Sequence, residues 1–404
     1  MASPGESGNP ARSWTRLDGV DGLRTLALFL VLMNHVNIRL RIAGVPYTKG
    51  LSEQLISLLF WNGQFGVQIF FAVSGFLIAS TAIRRWGSLS RVNVRDFYLL
   101  RFARIAPLLL SLLVVLSVLD LVHLKYFVVS PKTGGLTRAL FAALTFRVNV
   151  LEARHGYLPA SWDILWSLSV EEVFYLFFPL VCRFLGRGKL LVGFLLIFVA
   201  LGPFGRTVLT HGNEVWKEYS YLGGMDAIAL GCLTALLVAR IHFSLRALHA
   251  LAILGAALLI FSLCFSVRAS VWGLGRNGLD MSILAFGTCA IIVAAAQTRW
   301  RAPHVAGWIL SLGERSYEVY LTHMFIVFAL FQLFLEAGKP MKAVPVLFVA
   351  VILISGLSGV VVARFHSEPM NRRLRKRFGD GPHRLGSVLK EPSETRLAES
   401  RRSV

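Results

Sequence analysis

The chain has 404 residues, 55% of them hydrophobic and only 16% charged, and its mean hydropathy of +0.63 excludes an ordinary soluble domain of this size. The net charge of +20 at pH 7 comes from Lys and Arg residues gathered between apolar runs and in the tail, so the lipid bilayer with its anionic headgroups, and not nucleic acid, is the expected partner. Cys182, Cys232, Cys264 and Cys289 all fall inside apolar runs without ligand spacing, so neither a disulfide framework nor a metal site is expected.

The first residues are polar, with no apolar core and no cleavage site, so no removable leader is expected and the first helix stays in the mature protein. Apolar runs of about 20 residues then recur, as α-helical spans require, whereas a barrel would alternate over segments of about ten. Hydropathy predicts about ten spans, near 19–38, 62–83, 103–124, 161–184, 188–208, 221–240, 247–267, 278–297, 309–335 and 343–366. The expected fold is an all-α integral membrane bundle with a polar internal cavity, formed by residues 19–370 between an N-terminal tail (1–18) and a basic, disordered tail (371–404). An even span count puts both termini on one side. The connection between spans two and three holds Arg84, Arg85, Arg91, Arg95, Arg101 and Arg104, the fourth connection holds Arg183, Arg187 and Lys189, and the tail reads NRRLRKR, so this side is expected to be cytoplasmic. The stretch near 125–160 is longer than most loops and is expected to be functional, as a lid on the outer face.

Span one, LDGVDGLRTLALFLVLMNHV, places Arg24 and His35 eleven residues apart, about three turns, so both lie on one face roughly 16 Å apart. Ionisable residues within a span mark a cavity or a paired partner. In span two Ser74 and Gly75 interrupt a bulky helix: Gly75 favours close packing, and Ser74 suits packing or a polar contact equally. Arg101 and Arg104, three apart at the start of span three, either hold phosphate through paired guanidinium forks or set topology; both readings carry equal weight. Span four puts the adjacent carboxylates Glu171 and Glu172 near mid-membrane, where at least one must face a polar partner inside the bundle. Span six contains Asp226, and span nine carries Tyr317, Tyr320 and His323 at three-residue steps along one stripe. Polar residues directed inward from five helices point to a cavity.

The blocks DGLRTLALFLVLMNH, FGVQIFFAVSGFLI, FYLLRFARIAP, WSLSVEEVFYLFFP and SYEVYLTH, in that order, resemble the membrane acyltransferase 3 family from Asp21 to about Pro369. The resemblance implies transfer of an acyl group, most often acetyl, from acyl-coenzyme A as co-substrate to a hydroxyl of a carbohydrate or other acceptor, without a metal, at a bacterial cytoplasmic membrane. It carries the family's important positions onto Arg24, His35, Ser74, Gly75, Arg101, Arg104, Glu171, Glu172 and Tyr175. Two departures stand out. Many relatives place an Arg shortly before the Asp of span six, where this chain has Gly223, Gly224 and Met225, which puts an Arg–Asp role in doubt. Some relatives also carry a soluble hydrolase-like domain after the last span; with about thirty-five residues after span ten, no such domain is expected here.

On this reading His35, Arg24 and Glu172 are the catalytic candidates, with His35 either the general base for the acceptor hydroxyl or a transiently acylated nucleophile. Arg101, Arg104 and Ser74 would hold the donor, and Glu171, Tyr175, Tyr317, His323 and Asp226 would line the substrate path. The competing reading is a transporter or flippase moving an anionic or lipid-linked molecule through the same cavity; it would be favoured by broken helices and an inverted repeat, and neither is evident.

Overall fold

The computed structural model describes residues 17–186, 189–298 and 300–378. Among the described residues ten helices are long and apolar enough to cross a membrane: α1 (Asp18–Ile42), α2 (Gly63–Trp86), α3 (Val94–Leu121), α4 (Leu165–Leu185), α5 (Lys189–Arg206), α6 (Tyr221–Arg240), α7 (Leu245–Cys264), α8 (Leu279–Thr298), α9 (Ser316–Glu336) and α10 (Val344–Val362). Local sequence explains where they begin and end. Asp18 and Asp21 sit in the first turn of α1 and Arg39 and Arg41 in its last, each complementing the helix dipole. Asn93 caps α3 by accepting from the Asp96 N–H at 3.1 Å, and α2 stops at Gly87, whose φ of 76° suits glycine.

Alternating spans place the start of α1 and the ends of α2, α6, α8 and α10 on one face, called here the first face. The centre of the bundle is the contact between α2 and α6, which touch backbone to backbone. A Cβ on Gly75 would land on the Ile228 carbonyl oxygen, and one on Gly231 on the Ala72 carbonyl oxygen. Between lipid-solvated helices close packing of this kind supplies much of the attraction, since no hydrophobic gain remains.

Beside that contact α5, α6 and α8 are joined by a buried ion pair. Arg206, 6% exposed, places Nη2 2.8 Å from Asp226 Oδ2, and Asp226 is fully buried. Arg206 also donates to Gly278 O (3.0 and 2.8 Å), Ser282 Oγ (2.6 Å) and the Gly223 carbonyl, while Asp226 accepts from Gln68 Nε2 at 2.9 Å and from Ser282 Oγ at 2.9 Å. Asp226 is engaged in this network and is not part of the lining of the cavity described below, and its Arg partner, missing from span six, arrives from the end of span five.

The stretch 125–160 is not a loop. It folds into the helices Gly135–Leu144 and Val148–His155, which form a cap on the second face with Glu214–Tyr219: Asn149 Nδ2 donates to Tyr219 O at 3.0 Å, and Trp166 stacks on Tyr219 with ring centroids 4.2 Å apart. The tail also begins in order, because α10 runs through a π-helical turn, Ala363–Ser367, into the helix Glu368–Arg377, packed on α3. The expectations for residues 1–16, Arg187 and 379–404 lie outside the described residues.

Candidate functional site

Toward the first face, α1, α2, α3, α4 and α9 enclose a cavity of about 190 Å³ whose lining includes Arg24, Ser74, Arg101, Arg104, Glu171 and Tyr317. Arg101 and Arg104 are each held by a carboxylate and a ring, and Arg24 by a carboxylate. Arg101 lies 2.5 Å from Glu172 and 3.7 Å above the centroid of Tyr175, whose hydroxyl donates to Ser74 Oγ at 2.6 Å. Arg104 lies 3.3 Å from Glu318 and over Tyr317, whose hydroxyl donates to Ile105 O at 2.8 Å. Arg24 stands 3.4 Å from Asp21. Carboxylate partners and cation–π contacts fix the guanidinium planes, so the wall is preorganised toward a ligand.

The cavity stops at Phe70 and Tyr320, whose rings meet with centroids 6.0 Å apart. The Tyr320 hydroxyl is tied to Ser167 Oγ at 2.8 Å and to Ile164 O at 3.1 Å. Behind this partition lie His35 and His323, ring centroids 4.9 Å apart. The backbone fixes their tautomers. His35 Nδ1 is 2.9 Å from Val31 O, and His323 Nδ1 is 2.6 Å from Tyr320 O; a carbonyl can only accept, so both Nδ1 atoms carry the hydrogen. His323 Nε2 is then an acceptor, 3.3 Å from His35 Nδ1, and His35 Nε2 keeps its lone pair. His323 is fully buried, whereas His35 is partly accessible.

The sequence-predicted residues therefore fall into four places. Arg24, Ser74, Arg101, Arg104, Glu171 and Tyr317 meet around one cavity; Glu172 and Tyr175 stand behind Arg101; His35 and His323 form a pair beyond the partition; and Asp226 is apart from all of them. Sequence reasoning missed Glu318, Ser167 and Phe70. Glu318, 1% exposed inside an apolar span, carries the same signal that marked Glu171, whereas nothing in the sequence distinguishes Ser167 or Phe70 from packing residues. Among the described residues no group of three or more His, Cys, Asp or Glu is placed to hold a metal ion.

A family model described as an acyltransferase domain matches residues 17–365. The chain is similar to O-acetyltransferase OatA of Staphylococcus aureus strain NCTC 8325, 24% identical over 389 residues, covering 93% of this chain and 60% of the relative. It is likewise similar to the OatA of strain MRSA252, 24% identical over 377 residues, with 90% and 58% covered. The chain thus spans about 60% of the length of the curated relatives it matches. No solved structure matches it.

Proposed function

The chain belongs to the acyltransferase 3 family of membrane proteins, and from that premise we propose that it moves an acetyl group from acetyl-coenzyme A, taken from the cytoplasm, to a hydroxyl of a carbohydrate or other small acceptor. The relatives' name, O-acetyltransferase, supports acetyl as the group and oxygen as the receiving atom. The basic connections that fall on the first face support a cytoplasmic setting for it and for both termini. The observation that carries the mechanism is the tautomer of His35: an imidazole whose Nδ1–H is committed to Val31 O presents a basic Nε2.

The dimensions suit this chemistry. Arg24 and His35 are separated by about 16 Å of helix, and an acyl-pantetheine arm, with a backbone four to five residues long, extends roughly 15 Å. A donor entering at Arg24 therefore delivers its thioester to the Phe70–Tyr320 partition, whose side chains rotate to admit it to His35. The acceptor hydroxyl gives its proton to His35 Nε2 as its oxygen bonds to the acyl carbon; the carbon–sulfur bond then breaks, and the thiolate takes that proton from His35, leaving ester and free coenzyme A. While His35 is protonated, its Nδ1–H remains shared between Val31 O and His323 Nε2, which stabilises the imidazolium. Arg101 and Arg104 orient the arm.

The test is incubation of the purified protein with radiolabelled acetyl-coenzyme A and a panel of sugar acceptors. Wild type should release coenzyme A and label an acceptor, and His35→Ala should lower the rate on the order of 10²-fold or more, as loss of a positioned base does. A protein inert with every thioester would instead support transport through the same cavity.

A further inference from the structure

The accessible positions along α1 fix the direction in which His35 opens. Ile42, at the second-face end, is 73% exposed, and Arg39, Ile38 and His35, which continue the same stripe turn by turn, are each half-buried. Toward the first face the stripe closes, with Val31 1% exposed and Leu28 and Leu32 each 2%. His35 is also absent from the lining of the inner cavity. Its accessible surface is therefore reached from the second face. We propose that Arg39 and Asp163, on this approach, form the subsite for the acceptor, and that the acceptor is an uncharged sugar whose neighbouring hydroxyls bridge the two. This rests on the acyl-transfer reading and adds the place and the chemistry of its acceptor.

Arg39 differs from the other arginines inside the bundle. Arg24, Arg101, Arg104 and Arg206 each lie within ion-pair distance of a carboxylate. Arg39 has neither an ion pair nor a side-chain hydrogen bond among the described residues, and its Nε is buried without a partner. Its guanidinium lies over Phe328, 5.3 Å from the ring centroid, and Tyr126 stacks on the same ring at 5.0 Å. Asp163, half-buried just before α4, is within electrostatic reach of Arg39 but outside ion-pair contact. It accepts from the Tyr219 hydroxyl at 3.0 Å, which leaves a carboxylate with room for further donors. Glu152, beside it, is fully buried and out of a ligand's reach.

This pairing selects the ligand. An anion would suit Arg39 and be repelled by Asp163, and a cation would meet the reverse. A hydroxyl both accepts and donates, so adjacent hydroxyls of one sugar ring satisfy guanidinium and carboxylate together. Arg39 stands one helical turn, about 6 Å, from His35, so a pyranose held there can present a further hydroxyl to the imidazole. Tyr126, half-buried on the same wall, offers the ring an aromatic face.

The experiment is acetyl transfer from acetyl-coenzyme A by the full chain in nanodiscs to a panel of methyl hexosides, with hexose phosphates as charged counterparts. Wild type should acetylate at least one hexoside and prefer it to its phosphate. Arg39→Gln and Asp163→Asn should each raise the KM for that hexoside on the order of tenfold, with the Kd for acetyl-coenzyme A unchanged. Because Arg39 has no ion pair to lose, Arg39→Gln should not lower the melting temperature. In sealed vesicles Ile38→Cys, in a Cys264→Ser background, should react with an impermeant thiol reagent supplied at the second face and not at the first. Wild type that neither binds acetyl-coenzyme A nor transfers acetyl defeats the acyl-transfer reading, and the subsite with it. Donor binding without transfer to any hexoside, or transfer with KM unchanged in both variants, overturns the subsite and leaves that reading standing. So does a preference for the phosphates, a thiol that fails to react from the second face, or a lowered melting temperature with KM unchanged.

Discussion

Replacing Arg206 by Met separates the two roles open to Asp226. The substitution removes every polar contact of a side chain that is 6% exposed, and it leaves the fully buried Asp226 carboxylate without its counter-charge. Breaking a buried pair on one side costs about 3–5 kcal/mol, because the remaining charge cannot return to water. Here the lower end applies, since Asp226 keeps donors from Gln68 Nε2, Ser282 Oγ and the Ala227 N–H. Asp226→Asn, which strands the guanidinium, should cost a similar amount. The double variant Arg206→Met with Asp226→Asn holds no charge at all and should lose less than the sum of the singles, with a coupling of about 1.5–3 kcal/mol. Unfolding of the purified protein, followed by thermal or denaturant titration in one detergent, measures all four corners of this cycle. Additive losses would refute the ion pair as a structural lock. Loss of acceptor binding in Asp226→Asn with unchanged stability would restore Asp226 to the substrate path.

Other consequences are as direct. His35→Gln keeps a hydrogen-bonding group of similar reach without a basic nitrogen, so it should fold normally, retain donor binding and lose transfer to the extent of His35→Ala; near wild-type turnover would exclude the base mechanism. Arg101→Lys keeps the charge but loses both the fork toward Glu172 and the flat contact with Tyr175, so donor binding should weaken severalfold; an unchanged Kd would reduce Arg101 to a topology signal. Glu152, in the cap, is fully buried, and its carboxyl is held well above the usual carboxylate range, first by burial and then by the neighbouring Asp163. Its raised folded value means that the stability it contributes is complete below the ordinary carboxylate pKa and is lost as pH rises through the raised one. Melting temperature should therefore fall between about pH 5 and neutrality, and Glu152→Gln should flatten that slope. Gly231→Ala would push α6 off the Ala72 carbonyl and should lower the yield of folded protein sharply, with normal yield showing that the contact relaxes easily.

Much of this architecture is legible in the residues. All ten spans lie where hydropathy places them, because a lipid-facing helix must be apolar over its whole length, and that signal is purely local. Arg24, Arg101, Arg104 and Glu171 gather around one cavity for the reason that made them conspicuous: a charge in a span needs a polar place to go. Pairings are different in kind. Nothing near Asp226 in sequence names Arg206, since the partner is supplied by helix packing across the bundle. The cap near 125–160 is hidden for a related reason: its helix Val148–His155 is held by a contact with Tyr219, far along the chain. Asp226 shows that an intramembrane charge signals a polar neighbour, and that the neighbour can as easily be a brace as a substrate.

The rings of Phe70 and Tyr320 also have an electrical consequence. A membrane protein with arginines and carboxylates at one level and a histidine pair some three turns deeper contains nearly all the parts of a proton wire. A continuous file of water between the two would short-circuit the ion gradient of the cell. Phe70 and Tyr320 meet edge to face in the wall of the inner cavity, and the Tyr320 hydroxyl is already spoken for by Ser167 and Ile164. The histidine pair lies outside the lining of that cavity, so on the proposed mechanism a proton would reach it from that side only as cargo, on a hydroxyl or a thiol, when a substrate parts the rings.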